Sequence, residues 1–179
     1  MKRIFLIGYM GAGKTTLGKA LARETNLDFY DLDWFIEDRF HKKISDIFAE
    51  RGESGFREIE RNMLREVGEF ENVIISCGGG TPCFFDNMDY MNGQGDTIFL
   101  NATPVALKEH LLMGKSQRPL IQGKSPEELV EFIKESLAGR MPFYTKAKHS
   151  IIINTIHTRE DIQSYVAVIQ KLITDVNET

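Results

Sequence analysis

The residues with the clearest chemical potential form one glycine-rich run near the start of the chain. The run Gly8-Tyr9-Met10-Gly11-Ala12-Gly13-Lys14-Thr15 fits the pattern G-x-x-x-x-G-K-[ST]. Glycines lack a Cβ, so successive backbone N–H groups can turn inward and form a concavity that binds anions. Lys14 can reach the β- and γ-phosphates of a nucleotide, and the Thr15 hydroxyl suits Mg²⁺. The pattern therefore predicts a phosphate-binding P-loop.

The sequence on either side of this run supports the prediction. The apolar run 4–7 before it has the length of a strand, and Leu17, Ala20 and Leu21 after it recur at helical spacing. A helix that begins near Lys14 adds its N-terminal dipole, which favours anions. The alternative is a glycine-rich turn with an ordinary exposed lysine. The strand, loop and helix order favours the P-loop, because its mechanism requires that order.

A second candidate group, Asp31 and Asp33, lies at the carboxyl end of the next predicted strand, 27–31. Side chains two residues apart on an extended chain share a face. We expect one aspartate to assist a magnesium ion and the other to contact a substrate hydroxyl or act as a base. The alternative is helix capping, since Asp33 precedes the helical stretch 34–40. Capping explains one aspartate but not both, which favours a function for the pair.

The run Gly78-Gly79-Gly80 follows a buried strand, 73–76, that is apolar on both faces. Three glycines in succession allow a ligand to approach the backbone closely, whereas a tight turn needs only one or two. Many P-loop proteins end this strand in an aspartate that assists magnesium. Here Ser76 occupies that region, so the magnesium role passes to the aspartates at 31 and 33.

Two further segments carry candidate charges. Arg57 lies in a charged amphipathic helix, and Glu60 three residues later falls on the same helical face and could hold it. Taken alone, Arg57 could equally be a solvated surface charge. The polar, basic segment 114–123 is bounded by glycines and is longer than a typical connection. It is a candidate lid that carries Arg118.

Apolar runs of strand length alternate with helical patterns along the chain. Thr103-Pro104 and Ser125-Pro126 are typical helix starts, and the second of these helices is expected to end near Arg140. The alternation predicts an α/β domain with a parallel sheet and right-handed crossovers. Ligand groups gather at the carboxyl ends of such strands, so the aspartates should lie level with the P-loop. The predicted strands are 4–7, 27–31, 73–76, 97–100 and 149–153.

Composition narrows the class of protein. The chain has 179 residues, 42% of them hydrophobic and 27% charged, with a net charge of −4, which is typical of a globular protein. The acidic balance argues against nucleic acid or an anionic membrane as a partner. Cys77 and Cys83 suit neither a disulfide framework nor a four-ligand zinc site. No apolar run reaches membrane-spanning length, and no cleavage pattern follows the N-terminal apolar stretch, so we expect a cytoplasmic protein.

Taken together, the motifs resemble the shikimate kinase family, whose members are small nucleoside-monophosphate-kinase-like P-loop enzymes. The P-loop alone would indicate only a nucleotide, but the whole set is highly specific, stands in the family's order and spacing, and covers nearly the whole chain. The matching motifs are Gly8–Thr15, Asp31-Leu32-Asp33, Gly55-Phe56-Arg57 with Glu60, Gly78-Gly79-Gly80, Arg118-Pro119-Leu120, and Arg140 with Tyr144.

The resemblance implies ATP-dependent phosphorylation of the 3-hydroxyl of shikimate, a step of aromatic amino-acid synthesis. It also implies a five-stranded parallel sheet of order 2-3-1-4-5 flanked by helices in a three-layer sandwich. We expect a single domain over 1–179, with a mobile lid at about 113–125 and a substrate-binding helical region at about 33–62. We further expect a monomer that uses Mg²⁺ with ATP and binds neither nucleic acid nor membrane.

The resemblance also implies a role for each matching residue. Asp33 would contact the reacting hydroxyl and could act as a base, while Thr15 would bind Mg²⁺ directly and Asp31 through water. The lid residue Arg118 would swing toward the transferring phosphates, so Lys14, Asp33 and Arg118 would be catalytic. The residues that would bind ATP are Gly11, Ala12, Gly13, Lys14, Thr15, Thr16, Arg118 and His110. The residues that would bind shikimate are Asp33, Gly78, Gly79, Gly80, and the arginines Arg57 and Arg140 for its carboxylate.

Two departures from the family concern the adenine. His110 replaces the usual arginine that packs on the base, and an imidazole could still stack there without a fixed charge. The stretch 154–157 replaces a loop that often carries aspartate and a later proline. Two alternatives also stay open at this point. One is another small-molecule kinase of the same fold, such as a gluconate kinase, and the other is a nucleotide-binding module without catalysis.

Overall fold

The computed structural model describes residues 2–113 and 123–175 of the chain. Within these residues each of the five predicted strands is present, and each strand end lies within two residues of its predicted position. The strands are β1 (Arg3–Ile7), β2 (Asp28–Asp31), β3 (Val73–Ser76), β4 (Asp96–Ala102) and β5 (His149–Ile153). The helices are α1 (Lys14–Thr25), α2 (Leu32–Phe40), α3 (Ile44–Gly68), α4 (Asn87–Gln94), α5 (Pro104–Met113), α6 (Pro126–Tyr144) and α7 (Arg159–Asp175), and a 3₁₀ turn spans Thr81–Cys83.

The five strands form one parallel sheet in the order β2-β3-β1-β4-β5, which confirms the predicted fold class. β1 lies at the centre, where Leu6 is in register with Ser76 on β3 and with Ile98 on β4. Because β1 and β3 end level with each other, the P-loop and the 78–80 glycine run leave the sheet side by side. This adjacency is what brings the two motifs into one site.

Both faces of the sheet are covered, so its central strands are apolar throughout. On β1, Leu6 packs in a cluster with Leu17 of α1 and Ile169 of α7. Phe5 points the other way, into a cluster with Ile36 of α2 and Leu64 of α3. Residues 4–7 are fully buried, and burial of this kind contributes about 1.5–3 kcal/mol for each large apolar side chain. The result is the predicted three-layer sandwich.

The helix starts follow the capping chemistry of the sequence. Thr103 accepts the Ala106 N–H at 3.2 Å, and Ser125 and Glu128 form a complete capping box. Gly52, with φ of 67°, breaks the regular path of α3. The capping alternative for Asp33 is wrong, because α2 begins one residue after Asp31. It is therefore Asp31 whose carboxylate accepts the N–H groups of Asp33 and Trp34.

Two helices differ from the prediction. α4 was not predicted, because Asn87–Gln94 is polar apart from its methionines and carries no clear helical repeat. α6 continues beyond Arg140 to Tyr144, with Pro142 inside its last turn. Proline normally ends a helix because it lacks an N–H donor. Here the final turn nevertheless closes, since the Thr145 N–H donates to Met141 O at 2.9 Å.

The predicted lid, with Arg118, lies outside the residues that the structure describes, apart from its edges. Over residues 2–113 and 123–175 no helix combines the length and the apolar character needed to cross a bilayer.

Candidate active site

The P-loop connects the end of β1 to the start of α1. Gly13 is the N-cap of α1 with φ of 95°, a left-handed conformation that favours glycine. A Cβ at this position would also lie 2.4 Å from the Ile156 side chain. The Lys14 ammonium donates hydrogen bonds to Gly8 O at 2.8 Å and Tyr9 O at 2.9 Å. The lysine charge therefore lies at the loop that ends in the N-terminus of α1, and a cation beside a helix N-terminus is an arrangement that favours an anion.

A cavity of about 720 Å³ opens in front of this loop. It brings together most of the residues that the sequence predicted for nucleotide, metal and substrate. The predicted residues in its lining are Gly11, Gly13, Lys14, Thr15, Thr16, Asp31, Asp33, Gly78, Gly79 and His110.

Ala12 differs from its neighbours in the P-loop. Its methyl group is fully buried in the core, and its N–H donates to Tyr9 O at 3.1 Å. Because the side chain of Ala12 packs into the core, a contact with ATP would be made by its main chain, and that contact stays a prediction.

Asp31 and Thr15 both line the cavity, and their side chains are hydrogen-bonded to each other. The Thr15 hydroxyl donates to Asp31 Oδ2 at 2.9 Å, while Asp31 Oδ1 caps α2. In the described part of the chain no cluster of three or more His, Cys, Asp or Glu side chains could hold a metal ion. One hydroxyl and one carboxylate are nevertheless a donor set that suits Mg²⁺, which usually takes one or two protein ligands and completes its shell with phosphates and water. The residues present therefore fit a magnesium–nucleotide site.

Asp33 lies two residues further on and faces a different environment. Burial raises the pKa of its carboxyl from 3.8 to about 6, and the negative charges of Asp31 and Glu60 add to this effect. The nearby Lys14 ammonium acts in the opposite direction. A carboxylate with a pKa near 6 is ionised at neutral pH yet basic enough to accept a proton, which matches the requirement for a general base.

Arg57 is held by Glu60, as the helical spacing predicted. Arg57 Nη1 donates to Glu60 Oε1 at 2.9 Å, and Glu60 is only 1% exposed. A more exposed carboxylate, Glu53, lies 3.5 Å from Arg57 Nη2. Arg57 Nε is buried and makes no hydrogen bond to any residue that the structure describes, which leaves an inward-facing donor. The guanidinium is thus a fixed cation beside the 78–80 glycine run.

The 78–80 glycine run allows both arginines to approach the backbone. A Cβ on Gly80 would lie 2.6 Å from Arg57 Nη2, and a Cβ on Gly79 would lie 2.9 Å from Arg140 Nη1. Gly79 also accepts a hydrogen bond from the Tyr144 hydroxyl at 2.6 Å. The glycines at 79 and 80 are therefore explained by the close approach of the two arginines. The turn that these residues form does not itself require glycine, because neither has a positive φ.

Arg140 comes from α6 and lies over the ring of Tyr9, with 5.2 Å from its Cζ to the ring centroid. Arg57, Arg140 and Gly80 do not belong to the lining of the 720 Å³ cavity. They border it through Gly79, so the structure places both guanidinium groups next to the cavity rather than inside it.

His110 makes contacts that the stacking hypothesis did not predict. Its Nδ1 lies 2.7 Å from Gly11 O, and its Nε2 accepts the Ile156 N–H at 3.2 Å. Because Gly11 O can only accept, the ring is a neutral imidazole protonated at Nδ1. His110 therefore joins the P-loop to the loop after β5. Its ring still lines the cavity, so a contact with the base stays a prediction.

Sequence reasoning missed several residues of the site. Trp34 and Ile156 line the cavity, and Tyr9 and Tyr144 support Arg140. The position of Trp34 directly after Asp33, at the end of a strand, was a signal that could have indicated it. Tyr144 belongs to the resembling motif, but the early helix end predicted near Arg140 obscured its role.

Comparison with known proteins gives one family. A family model described as shikimate kinase matches residues 10–170. A shikimate kinase of Phocaeicola vulgatus is 60% identical over 171 residues, which cover 96% of this chain and 98% of that protein. The crystal structure of shikimate kinase from Bacteroides thetaiotaomicron has a TM-score of 0.91 and 57% identity, covering 96% of this chain and 97% of that chain. A shikimate kinase from Acinetobacter baumannii, in complex with shikimate, has a TM-score of 0.82 and 30% identity, covering 97% and 96%. This chain therefore belongs to the shikimate kinase family.

Proposed function

We propose that this chain transfers the γ-phosphoryl group of ATP to the 3-hydroxyl of shikimate. The observation that carries the proposal is the placement of two unlike groups beside each other. Lys14 and the P-loop line one cavity with Asp33, and the arginines 57 and 140 border that cavity through Gly79 and Gly80. An anion cradle, a carboxylate of raised pKa and a pair of guanidinium groups suit a phosphate donor and a carboxylated alcohol.

We call residues 8–16 the phosphate side. The amides of this segment and the N-terminus of α1 would bind the phosphates, while Lys14 would meet the charge on the transferring oxygens. We propose Arg118 as a second cation there, from the predicted lid. Phosphoryl transfer needs positioning and charge stabilisation more than covalent chemistry, so this set is sufficient for the donor.

Thr15 and Asp31 are the residues that would hold Mg²⁺ together with the nucleotide phosphates. When bound, the ion supplies positive charge that neutralises the phosphate oxygens. The Thr15 hydroxyl and Asp31 carboxylate, 2.9 Å apart, are near enough to share it.

Asp33 is proposed as the general base. In the transfer, the 3-hydroxyl oxygen of shikimate forms a bond to the γ-phosphorus as the bond to the bridging β–γ oxygen breaks, and ADP leaves. The hydroxyl proton passes to the Asp33 carboxylate. With a pKa of about 6 this carboxylate is mostly ionised at pH 7 and able to accept the proton.

We propose that a second group of residues, the acid side, binds the shikimate carboxylate. The acid side consists of Arg57, Glu60, Gly78–Gly80 and Arg140. Planar guanidinium groups match carboxylates with paired hydrogen bonds, and Arg57 Nε offers a buried donor. A neutral polyol has no group that needs these cations. The acid side would therefore select a carboxylated acceptor.

A substrate panel tests the proposal directly. We expect the purified chain with ATP and Mg²⁺ to release ADP when shikimate is added, and to show at least a hundredfold lower kcat/KM with gluconate. Turnover of gluconate without turnover of shikimate would establish the alternative kinase. ATP binding without shikimate-dependent ADP release would establish a non-catalytic nucleotide-binding module.

A further inference from the structure

The short segment after the glycine run, from Thr81 to Phe84, contacts two residues of the acid side, Glu60 and Arg57. Thr81 is fully buried, and its hydroxyl donates to Glu60 Oε2 at 2.9 Å. The other oxygen of that carboxylate, Oε1, accepts from Arg57 Nη1 at 2.9 Å. Each Glu60 oxygen is therefore fixed by one donor, and the orientation of Arg57 depends on both.

Phe84 contacts Arg57 itself. The guanidinium Cζ lies 4.1 Å from the centroid of the Phe84 ring, closer than to the ring of Phe56 at 5.3 Å. A cation at this distance from an aromatic face is attracted by about 0.5–2 kcal/mol. The ring therefore limits where the guanidinium can move, in a direction that the Glu60 contact does not control.

The segment that carries these two side chains is itself anchored. The side chain of Asn87, which is fully buried, donates from Nδ2 to Thr81 O at 2.9 Å. The N–H groups of Thr81 and Cys83 donate to Gly78 O at 3.1 Å and Gly80 O at 2.9 Å. The glycine run and the segment that carries Thr81 and Phe84 are therefore one stretch of hydrogen-bonded backbone. That stretch holds both the glycines that Arg57 approaches and the side chains that fix Arg57.

We infer that Thr81 and Phe84 are positioning residues for the acid side, which fix the Arg57 guanidinium in advance for the substrate carboxylate. Thr81 acts through Glu60, and Phe84 acts by direct contact. The inference rests on the proposed role of Arg57 in binding the shikimate carboxylate. Neither residue lies in the lining of the 720 Å³ cavity, so neither is proposed to touch the nucleotide.

The physical reason is the flexibility of arginine. Ordering a free arginine side chain costs up to about 2 kcal/mol, and binding is weaker when that ordering has to occur with the ligand. Without the Thr81 hydroxyl, one buried oxygen of Glu60 loses its donor, and the carboxylate can turn to take a second bond from Arg57. The guanidinium would then be drawn away from the substrate while the phosphate side is unchanged.

Thr81→Val is the principal test, because valine keeps the shape and removes only the hydroxyl. We expect the KM for shikimate to rise about five- to tenfold, while the KM for ATP and kcat change by less than twofold. Thr81→Ser restores the donor and should return the KM for shikimate to within twofold of the starting value. A structural defect alone would not divide the two KM values in this way.

The methyl ester of shikimate makes the test specific for the carboxylate. Because the ester has no negative charge for Arg57 to bind, Thr81→Val should change its kcat/KM by less than twofold. Phe84→Leu, which removes the aromatic face, should raise the KM for shikimate about threefold with the same selectivity. Should the Thr81 variants fail to fold, Phe84→Leu decides alone, and an unchanged KM for shikimate overturns the inference.

Thr97→Val is the matched control. Thr97 is also a fully buried threonine, and its hydroxyl donates to Asn92 Oδ1 at 2.5 Å and accepts the Lys148 N–H at 2.8 Å. It lies on β4, away from Glu60. We expect this variant to have a lower Tm and an unchanged KM for shikimate. An equal rise in that KM would mean that Thr81→Val reports only general loosening, which overturns the inference.

Arg57→Ala separates a failure of the inference from a failure of the proposed function. If Arg57→Ala leaves the KM for shikimate unchanged, the proposed carboxylate role of Arg57 is wrong, and the inference falls with it. If Arg57→Ala raises that KM but Thr81→Val and Phe84→Leu do not, only the positioning inference is wrong. Absence of any turnover of shikimate by the original chain would contradict the proposed function itself.

Discussion

The phosphate side is one continuous segment of nine residues, whereas the acid side is collected from α3, the run after β3, and α6. On the phosphate side the donors are backbone amides held by a strand and a helix. On the acid side they are two long side chains, and each depends on neighbours such as Glu60 and Tyr144. Backbone donors are fixed by the fold itself, but side-chain donors have to be fixed by further contacts.

The difference predicts where the site is sensitive to substitution. A change near the phosphate side should act only when it alters the loop or Lys14. A change near the acid side can act from two contacts away, because Arg57 depends on Glu60, which in turn depends on Thr81. The KM values for ATP and shikimate should therefore respond to different sets of residues.

The largest effect expected is from Lys14→Met, which breaks the phosphate side alone. Loss of this charge from the transferring oxygens should lower kcat about 10³-fold. The KM for shikimate should change little, since the acid side is intact. Steady-state kinetics checks this, with Lys134→Met as the control because Lys134 pairs with Glu131 on the exposed face of α6. A large rise in the KM for shikimate would mean that the two sides are not separate.

Asp33→Asn tests the residue at the junction of the two sides. Loss of the general base should lower kcat about 10²- to 10³-fold while ATP binding is retained. Trp34 is the chain's single tryptophan and lines the cavity, so its fluorescence can report ATP binding. Asp38→Asn, on the exposed face of the same helix, is the control. Retention of more than a tenth of kcat would show that Asp33 is not the base.

The pH dependence of Asp33 follows from its raised pKa. The folded state takes up this proton near pH 6 and the unfolded state near pH 4, so between these values stability falls as pH rises. Well above pH 6 the whole penalty is present. A rise in pKa from 3.8 to about 6 corresponds to about 3 kcal/mol, so Asp33→Asn should then stabilise the fold by up to that amount. Urea unfolding at pH 7.5 and pH 4 checks this, because the gain should disappear at pH 4. Turnover of the unmodified chain should fall as pH drops through 6.

Gly80→Ala sharpens the comparison on the acid side. The new Cβ would overlap the Arg57 guanidinium, with 2.6–2.9 Å to its nearest atoms, and the side chain would have to move. We expect the KM for shikimate to rise about 10- to 30-fold, or roughly 1.4–2 kcal/mol, with the KM for ATP unchanged. Gly93→Ala is the control, since within the described residues nothing outside its own turn of α4 lies within 4 Å of a Cβ there. Equal KM values in the two variants would contradict the close approach of Arg57.

The smallest effect expected is from His110→Phe, which keeps an aromatic ring but loses both hydrogen bonds. If His110 acts by joining Gly11 to Ile156, the KM for ATP should rise about three- to fivefold and the KM for shikimate should not change. If the ring acts only by stacking on the base, phenylalanine should leave the KM for ATP as it is. The two KM values measured side by side distinguish these roles.

The sequence predicted the parts of the site that depend on local pattern. The P-loop, both aspartates and the glycine run were identified because each lies at the carboxyl end of a predicted strand, and the Arg57–Glu60 pair because its spacing is helical. The sheet order was available only from the family resemblance. Periodicity alone does not determine which strands are neighbours.

The parts that were missed depend on contacts between distant segments. His110 and Ile156 are 46 residues apart, so no local pattern indicates their hydrogen bond. α4 lacks an apolar repeat, and the last turn of α6 includes a proline that usually marks an end. The N-cap of α2 is Asp31 and not Asp33, a shift of two residues, and a cap can be located only once the helix start is known.

The pairing of β1 with β3 has one more consequence, which concerns the gap between the two reactants. Neighbouring strands lie about 4.8 Å apart, a spacing fixed by main-chain hydrogen bonds and independent of side-chain identity. Since the P-loop extends from one of these strands and the glycine run from the other, the ladder fixes the spacing at which the two loops leave the sheet. Substitutions on helices such as α3 and α6 can therefore change how tightly the acceptor is bound without changing the spacing of these two loops.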